Sequence, residues 1–299
     1  MTTTHFLVRR DRLAEHELVT EPRAELAPGD VELCLERFGL TANNVTYGAL
    51  GDALGYWKFF PEARPGWGRL PVWGFARVER STVEGVDVGE RVYGYFSMSS
   101  HLVVQPRRVD VAGFLDGAAH RRELSPIYNQ YLRTSSDPSY RADSEGAQVV
   151  LRPLFATAYF LADYLQSSDW LGSDAVLISS ASSKLASLTA LLLGDAARRD
   201  GREVVGLTSP GNAAYVVGLG LYDRVVTYDA VSSLTPRRTT YVDVAGNTTL
   251  RAAVHHQLGD ALKQSLMLGG THWEARGPVG ALPGPAPELF FAPTRIRER

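Results

Sequence analysis

The sequence predicts an α/β fold in two parts, a β-rich first half followed by a doubly wound parallel sheet. Three observations predict it. Residues 174–194 read as strand, tight turn and helix. The chain after them repeats that alternation. The chain before them breaks into short strands at glycine and proline, with little helix.

In the first half, Phe6-Leu7-Val8 reads as a strand. Pro28-Gly29-Asp30 is a turn, and Val31-Glu32-Leu33-Cys34-Leu35-Glu36-Arg37-Phe38 alternates apolar and polar residues as a half-buried strand does. Val72-Trp73-Gly74-Phe75-Ala76-Arg77-Val78-Glu79-Arg80 is the next strand. Residues 86–94 give a turn at Gly89 and then a strand, and His101-Leu102-Val103-Val104 another. Little helix is expected before about residues 125–132, with Tyr128-Asn129-Gln130-Tyr131 inside a helix there.

In the second half, Ala175-Val176-Leu177-Ile178 is an apolar run. It breaks into Ser179-Ser180-Ala181-Ser182-Ser183, then Lys184, then Leu185, Leu188, Leu191 and Leu192 at helical spacing. A strand that turns into a helix N-terminus offers free N–H groups and the positive end of the helix dipole to an anion. A dinucleotide fingerprint carries glycine where Ser180, Ser183 and Ala186 stand here. All three are small, so backbone approach to a pyrophosphate survives, but the signal alone is weak. Further strands are expected over residues 202–210, ending in a turn, 223–228, 239–246, ending in Ala-Gly, and 263–269, with helices at 212–219 and 250–258.

Composition narrows the function classes. With 299 residues, 44% of them hydrophobic, the chain can bury a large core. A formal net charge of −2 gives no support for nucleic acid or an anionic membrane as partner. No apolar run approaches the roughly 20 residues of a membrane span. The charged N-terminus does not read as a signal peptide. Cys34 is the single cysteine, which excludes an internal disulfide and a thiolate cluster and favours the cytoplasm. Of the seven histidines, the adjacent pair His255-His256 is expected to face solvent.

The order of parts resembles the medium-chain dehydrogenase/reductase superfamily. The resemblance rests on APGDVELCLERFGLTANNVTYGALG, VEGVDVGERVYGYF, and RPLFATAYFLADYL followed by AVLISSASSKLASLTALLL. Within it, ISSASSKLA, VVGLTSPGNAAYVVGLGLYDRVVTYD and LGGTHWE are similar to a zinc-free branch, the DUF2855 family. The resemblance implies a GroES-like β-barrel substrate domain over residues 1–148, with a lid-like insertion at about 109–146. It implies a Rossmann dinucleotide-binding domain over 149–276, and a short C-terminal segment, 277–299, returning toward the first domain. That shortness leaves the first domain incompletely covered or completed by a second copy in a homodimer.

Zinc-dependent members place cysteine and histidine ligands where this chain has Thr41-Ala42-Asn43-Asn44 and Gly74-Phe75-Ala76. No metal is therefore expected to take part. Zinc-free members of the superfamily place a ring and a carboxylate where Gly39-Leu40-Thr41-Ala42-Asn43-Asn44 has Ala42 and Asn44. Asn44 and Tyr47 lie three apart, so a helix puts them on one face, with Tyr47 as a proton donor to a developing enolate. The alternative is that Asn43 and Asn44 cap a short helix and Tyr47 packs. Trp57 and Trp73 suit the wall of an apolar pocket, or else a barrel core. His272, after the last strand, is the histidine expected near the chemistry, and a common cavity with Asn44 and Tyr47 is expected.

For the cofactor, Ser180, Ser182, Ser183 and Lys184 are expected at the phosphates, and Ala245, Gly246 and Thr271 at the nicotinamide end. NAD needs a carboxylate at the end of the second strand. That end reads Thr208-Ser209-Pro210-Gly211-Asn212, and neutral Thr208, Ser209 and Asn212 tolerate a 2′-phosphate. NADPH is the expected cofactor, and a zinc-independent reductase of an enone, enoyl or quinone substrate the expected function. A nucleotide-binding pseudoenzyme or sensor without turnover is the alternative.

Overall fold

The computed structural model describes residues 1–270, 272 and 280–291. The chain divides into two compact units, Met1–Arg152 and Pro153–Arg299. No helix among the described residues is long and apolar enough to cross a membrane.

The first unit is antiparallel. Its strands are β1 (Thr2–Arg9), β2 (His16–Pro22), β3 (Val31–Gly39), β4 (Trp67–Arg69), β5 (Pro71–Ser81), β6 (Arg91–Ser97), β7 (His101–Val104), β8 (Pro106–Arg107), β9 (Gly113–Asp116) and β10 (Gln130–Arg133). Three form a small sheet in the order β2-β1-β4, and seven a large one in the order β7-β3-β5-β6-β10-β9-β8. Alternation decides which face is buried. Val31, Leu33, Val72, Ala76, Val78, Val92 and Phe96 make one core, while the charged residues of β3 face the other way. This is the GroES-like near-barrel that the resemblance implied.

One helix expected from the sequence is not there. Residues 126–129 form a single 3-10 turn, and Gln130–Arg133 is strand β10, paired with β6 and β9. Tyr131 is fully buried, and its hydroxyl donates to the Tyr95 carbonyl at 2.9 Å. The expected lid-like insertion, residues 109–146, therefore supplies two strands of the large sheet and part of its core.

Helix α1 (Ala42–Ala49) follows β3, and α2 (Glu145–Ser167) leads into the second unit. There β11 (Ala175–Ile178), α3 (Lys184–Arg199), β12 (Glu203–Thr208), α4 (Ala213–Gly218), β13 (Arg224–Thr227), β14 (Thr239–Asp243), α5 (Thr248–Leu258), β15 (Leu262–Met267) and β16 (Glu288–Leu289) alternate. All strands pair in parallel in the order β13-β12-β11-β14-β15-β16. Both faces are covered, so β11 is buried at every residue. Val176 and Ile178 pack into one layer with Leu161, Leu165 and Leu193; Leu177 packs into the other with Tyr241, Val254 and Leu258. The Rossmann-type sheet expected from the alternation is present. Among the described residues of the segment 277–299, Glu288–Leu289 adds β16 to this sheet and Phe290 joins its core.

The histidine pair splits. His256 is exposed, but His255 is fully buried and corrects the expectation of a solvent-facing pair. Its Nδ1 lies 2.9 Å from the Pro283 carbonyl and its Nε2 2.9 Å from the Ser265 hydroxyl, the pattern of a neutral ring that donates once and accepts once. Burial lowers its pKa below the ordinary histidine value. The unfolded chain then binds a proton that the folded one resists. The stabilisation is fully present above about pH 6.5 and drains away as pH falls through the lower folded value. Urea unfolding is expected to show a midpoint that falls between pH 7.5 and 5.5, and less steeply in His255→Gln. An equal slope in the variant would assign the pH dependence elsewhere.

Candidate functional site

The strand order reverses direction between β11 and β14, and in doubly wound sheets the crevice beyond the strand ends at that point takes the ligand. Both ends are locked there by one buried network. Ser179 donates its hydroxyl to Asp243 Oδ1 at 2.9 Å and accepts the backbone N–H groups of Val244 and Ala245 at 3.0 and 2.9 Å. Asp243 Oδ1 also accepts the Gly246 N–H at 2.9 Å, and its Oδ2 pairs with Arg251 at 2.8 Å. None of this was read from the sequence. An Asp-Val-Ala-Gly strand end is a weak signal, and Ser179 was grouped with the phosphate turn.

The turn itself keeps the geometry of a glycine fingerprint without the glycines. Ser180 has φ +54°, a left-handed conformation that costs a non-glycine residue about 1–2 kcal/mol. Ser183 caps α3 by accepting the Ala186 N–H. Ala186 is fully buried, which lets the helix lie close to the sheet. Tyr222 and Ser187 both donate to the Ala181 carbonyl, at 2.9 and 3.3 Å, and Asn212 donates to Ser182 Oγ at 3.1 Å. The backbone N–H groups of Ser182, Lys184 and Leu185 have no acceptor among the described residues, and they stand at the positive end of a 16-residue helix. Lys184 is exposed and makes no ion pair among the described residues. Free N–H groups and the positive helix end favour an anion at such a turn.

Across the crevice the loops after β14 and β15 interlock. Gly246 has φ +68°, and a Cβ there would lie 2.8 Å from the Gly269 carbonyl oxygen and from Gly270 Cα. Ala245 accepts the His272 N–H at 2.7 Å. The His272 ring stands edge-on to Tyr228, centroids 5.8 Å apart, with Asn247 Nδ2 3.4 Å from its Nδ1. Tyr228, which the sequence offered only as the end of a strand, stands beside Ser180, and burial raises its phenol above the ordinary tyrosine value. His272, Ser180, Ala245 and Gly246 thus come together. Thr208 does not join them: it is fully buried, and its hydroxyl faces the interior without a partner. Ser209 is half-buried and Asn212 exposed. Thr271 lies outside the described residues.

The first unit holds the other candidates. Thr41 and Asn44 form a capping box at α1. Asn44 Oδ1 accepts the Thr41 N–H at 2.7 Å, and its Nδ2 donates to the Pro71 carbonyl at 2.9 Å. Asn44, expected as a catalytic group, therefore spends both ends of its amide on the fold. Tyr47 shares its buried face, as the three-residue spacing predicts. The Tyr47 oxygen accepts from Asn43 Nδ2 at 2.9 Å and from Trp73 Nε1 at 3.1 Å. The Tyr47 ring packs on Tyr56 and Tyr95, and Tyr95 in turn packs on Trp73, Phe59 and Tyr128. Burial, and then the neighbouring Tyr56, push the Tyr47 phenol well above the ordinary tyrosine range. Trp57 sits apart, packed on Val8 and Leu70, and Lys58 is exposed. At the positions of the family's zinc ligands, residues 41–44 start α1 and residues 74–76 run within β5, with no ligating side chain among them.

Solved structures share this architecture. CurA from Vibrio vulnificus superposes with a TM-score of 0.60 at 13% identity, over 98% of this chain and 82% of its own. A mutant form of the enoyl thioester reductase from Candida tropicalis gives 0.56 at 12% identity, over 99% and 84%. The quinone oxidoreductase from Coxiella burnetii gives 0.50 at 14%, over 95% and 84%. At these identities the likeness is one of fold. No protein among the curated ones matches the sequence. The family model described as "Protein of unknown function (DUF2855)" matches residues 38–299, and the chain belongs to that family.

Proposed function

We propose that the protein is a zinc-independent, NADPH-dependent oxidoreductase acting on an enone, enoyl or quinone-type substrate. The observation that carries this is the free N–H cluster of Ser182, Lys184 and Leu185 at the switch point of a 3-2-1-4-5-6 sheet. The names of the structural neighbours, an enoyl thioester reductase and a quinone oxidoreductase, support the reaction class.

The residues fit a dinucleotide. Ser182, Ser183 and Lys184 would hold the phosphates, Ser209 and Asn212 would flank the adenosine ribose without a carboxylate to repel a 2′-phosphate, and Ala245, Gly246 and His272 would border the nicotinamide end. The bound cofactor supplies hydride. This chain's part is to orient the acceptor and to deliver a proton to the oxygen on which charge develops. Tyr47 suits that role. Asn43 and Trp73 are donors toward its oxygen, so its own proton points to neither, and no acceptor for it exists among the described residues.

A pseudoenzyme or sensor without turnover is favoured by one observation. Asn44 stands where zinc-free relatives carry chemistry, and it is wholly committed to capping α1. Loss of nicotinamide absorbance with a panel of enones and quinones decides between the readings. Binding of NADPH without any substrate-dependent loss means the sensor; no binding of NADPH or NADH removes both. Lys184→Glu is expected to weaken NADPH binding about ten-fold by calorimetry, through lost pairing and added repulsion. Unchanged affinity would take Lys184 out of the site.

A further inference from the structure

We propose that Cys34, Glu79 and His101 form a binding site for a soft divalent cation of the zinc class, on the charged face of the large sheet. One ligand atom from each lies within 4.8 Å of the other two. The three come from adjacent strands. Cys34 on β3 is directly opposite His101 on β7 in the antiparallel register. Glu79 is on β5, at a place where the register shifts: Glu32 pairs with Arg80 and Leu33 with Val78, so Glu79 is the extra residue of a bulge. A bulge re-aims a side chain that regular alternation would point elsewhere. Here it turns the carboxylate to within 2.9 Å of His101 Nε2.

The chemistry of the set is that of a zinc site. A thiolate, an imidazole and a carboxylate are its usual ligands, and three protein ligands leave a fourth position open. Tetrahedral zinc with bonds of about 2.0–2.3 Å spaces its ligand atoms roughly 3.3–3.8 Å apart. Side-chain rotation of about an ångström closes the set to that spacing. His101 Nδ1 lies 2.9 Å from Ser100 Oγ. A ring that donates from Nδ1 leaves the Nε2 lone pair to the cationic N–H of Arg23, the place an ion would take, which is how outer partners prepare a metal-binding histidine. His101 also lines a cavity of about 310 Å³ together with His5, Glu32 and Arg69, which gives an ion and its water a way in.

The place already attracts a cation. The Arg23 guanidinium hydrogen-bonds His101 Nε2 and lies 3.2 Å from Glu79 Oε2. Arg23 has a second partner, Glu32 at 3.4 Å, and Glu32 is in turn held by two bonds from Arg80, at 2.7 and 2.8 Å. A metal can therefore replace Arg23 at His101 and Glu79 while every charge keeps a partner. The exchange releases the Cys34 proton and leaves M²⁺ balanced by one thiolate and one carboxylate. Because binding displaces that thiol proton, affinity should rise with pH.

Cobalt(II) chloride is the probe, titrated into the full chain purified without a histidine tag and stripped with chelator. One equivalent is expected to bind with a thiolate-to-cobalt charge-transfer band, displaced by zinc. Cys34→Ser should abolish the band, and His101→Gln should weaken binding at least ten-fold. Arg23→Gln should tighten it about ten-fold, because the competing cation is gone. Thermal unfolding of each variant separates these effects from loss of fold. A wild-type titration without the band overturns the proposal. So does a band that His101→Gln and Arg23→Gln leave unchanged, since Cys34 would then act as a solitary thiol.

Discussion

Replacing Asp243 with alanine is expected to destabilise the second unit by about 3–5 kcal/mol, the range found when one partner of a buried charge pair is removed. The carboxylate is completely buried and holds three groups directly, the Ser179 hydroxyl, the Gly246 N–H and Arg251, and reaches the Val244 and Ala245 N–H groups through Ser179. Arg251 is itself only 12% exposed and would be left without its counter-ion. For a unit of this size the loss corresponds to a fall of roughly 6–20 °C in Tm. Thermal unfolding by circular dichroism checks it. A fall corresponding to less than about 1 kcal/mol would mean that water or a relaxed Arg251 replaces the network. The pair should also be coupled: Arg251→Ala made on top of Asp243→Ala should cost far less than alone, because the interaction it removes is already gone.

The same network explains how much of the second unit was legible in the sequence. Apolar runs such as Ala175-Val176-Leu177-Ile178 mark buried parallel strands, and each expected strand from β11 to β15 is present. What tied β11 to β14 was not legible. Ser179 and Asp243 are 64 residues apart, and the bond between them exists only once the parallel pairing has formed. The left-handed Ser180 was half-visible, since serine stood where the fingerprint carries glycine. Thr208 was misread because a threonine at a strand end looks like a crevice donor until alternation turns it inward.

In the first unit the failures have different causes. Strand β2 escaped notice because it is an exposed sheet edge, and its residues His16–Pro22 carry no apolar alternation. The expected helix at 125–132 was drawn from a cluster of tyrosine, asparagine and glutamine. Those residues pack as a strand because Tyr131 finds its place between Phe96 and Phe114. Long-range packing, not local propensity, chose the conformation. Asn44 was read for its chemistry, although the Thr41-x-x-Asn44 spacing already contained a capping box. The cluster of Cys34, Glu79 and His101 had no sequence signature, because a bulge set the position of Glu79.

Tyr47→Phe is expected to lower kcat about 10²- to 10⁴-fold while leaving NADPH binding unchanged. The phenol has two donors at its oxygen, and its proton has no acceptor among the described residues. Its raised pKa keeps that proton in place at neutral pH, so it is available when an enolate or phenolate oxygen develops charge nearby. NADPH binding should persist because the expected nucleotide contacts all belong to the second unit. The substitution also strips the Asn43 and Trp73 N–H groups of their acceptor, at a cost of about 1–3 kcal/mol each if they stay dry. Turnover must therefore be read well below the unfolding midpoint of the variant. His272→Gln is the informative companion. If Tyr47 is the acid, His272→Gln should change KM or cofactor affinity more than kcat. If turnover instead survives in Tyr47→Phe and collapses in His272→Gln, the imidazole beside Tyr228 delivers the proton, and Tyr47 is a packing residue of the first unit.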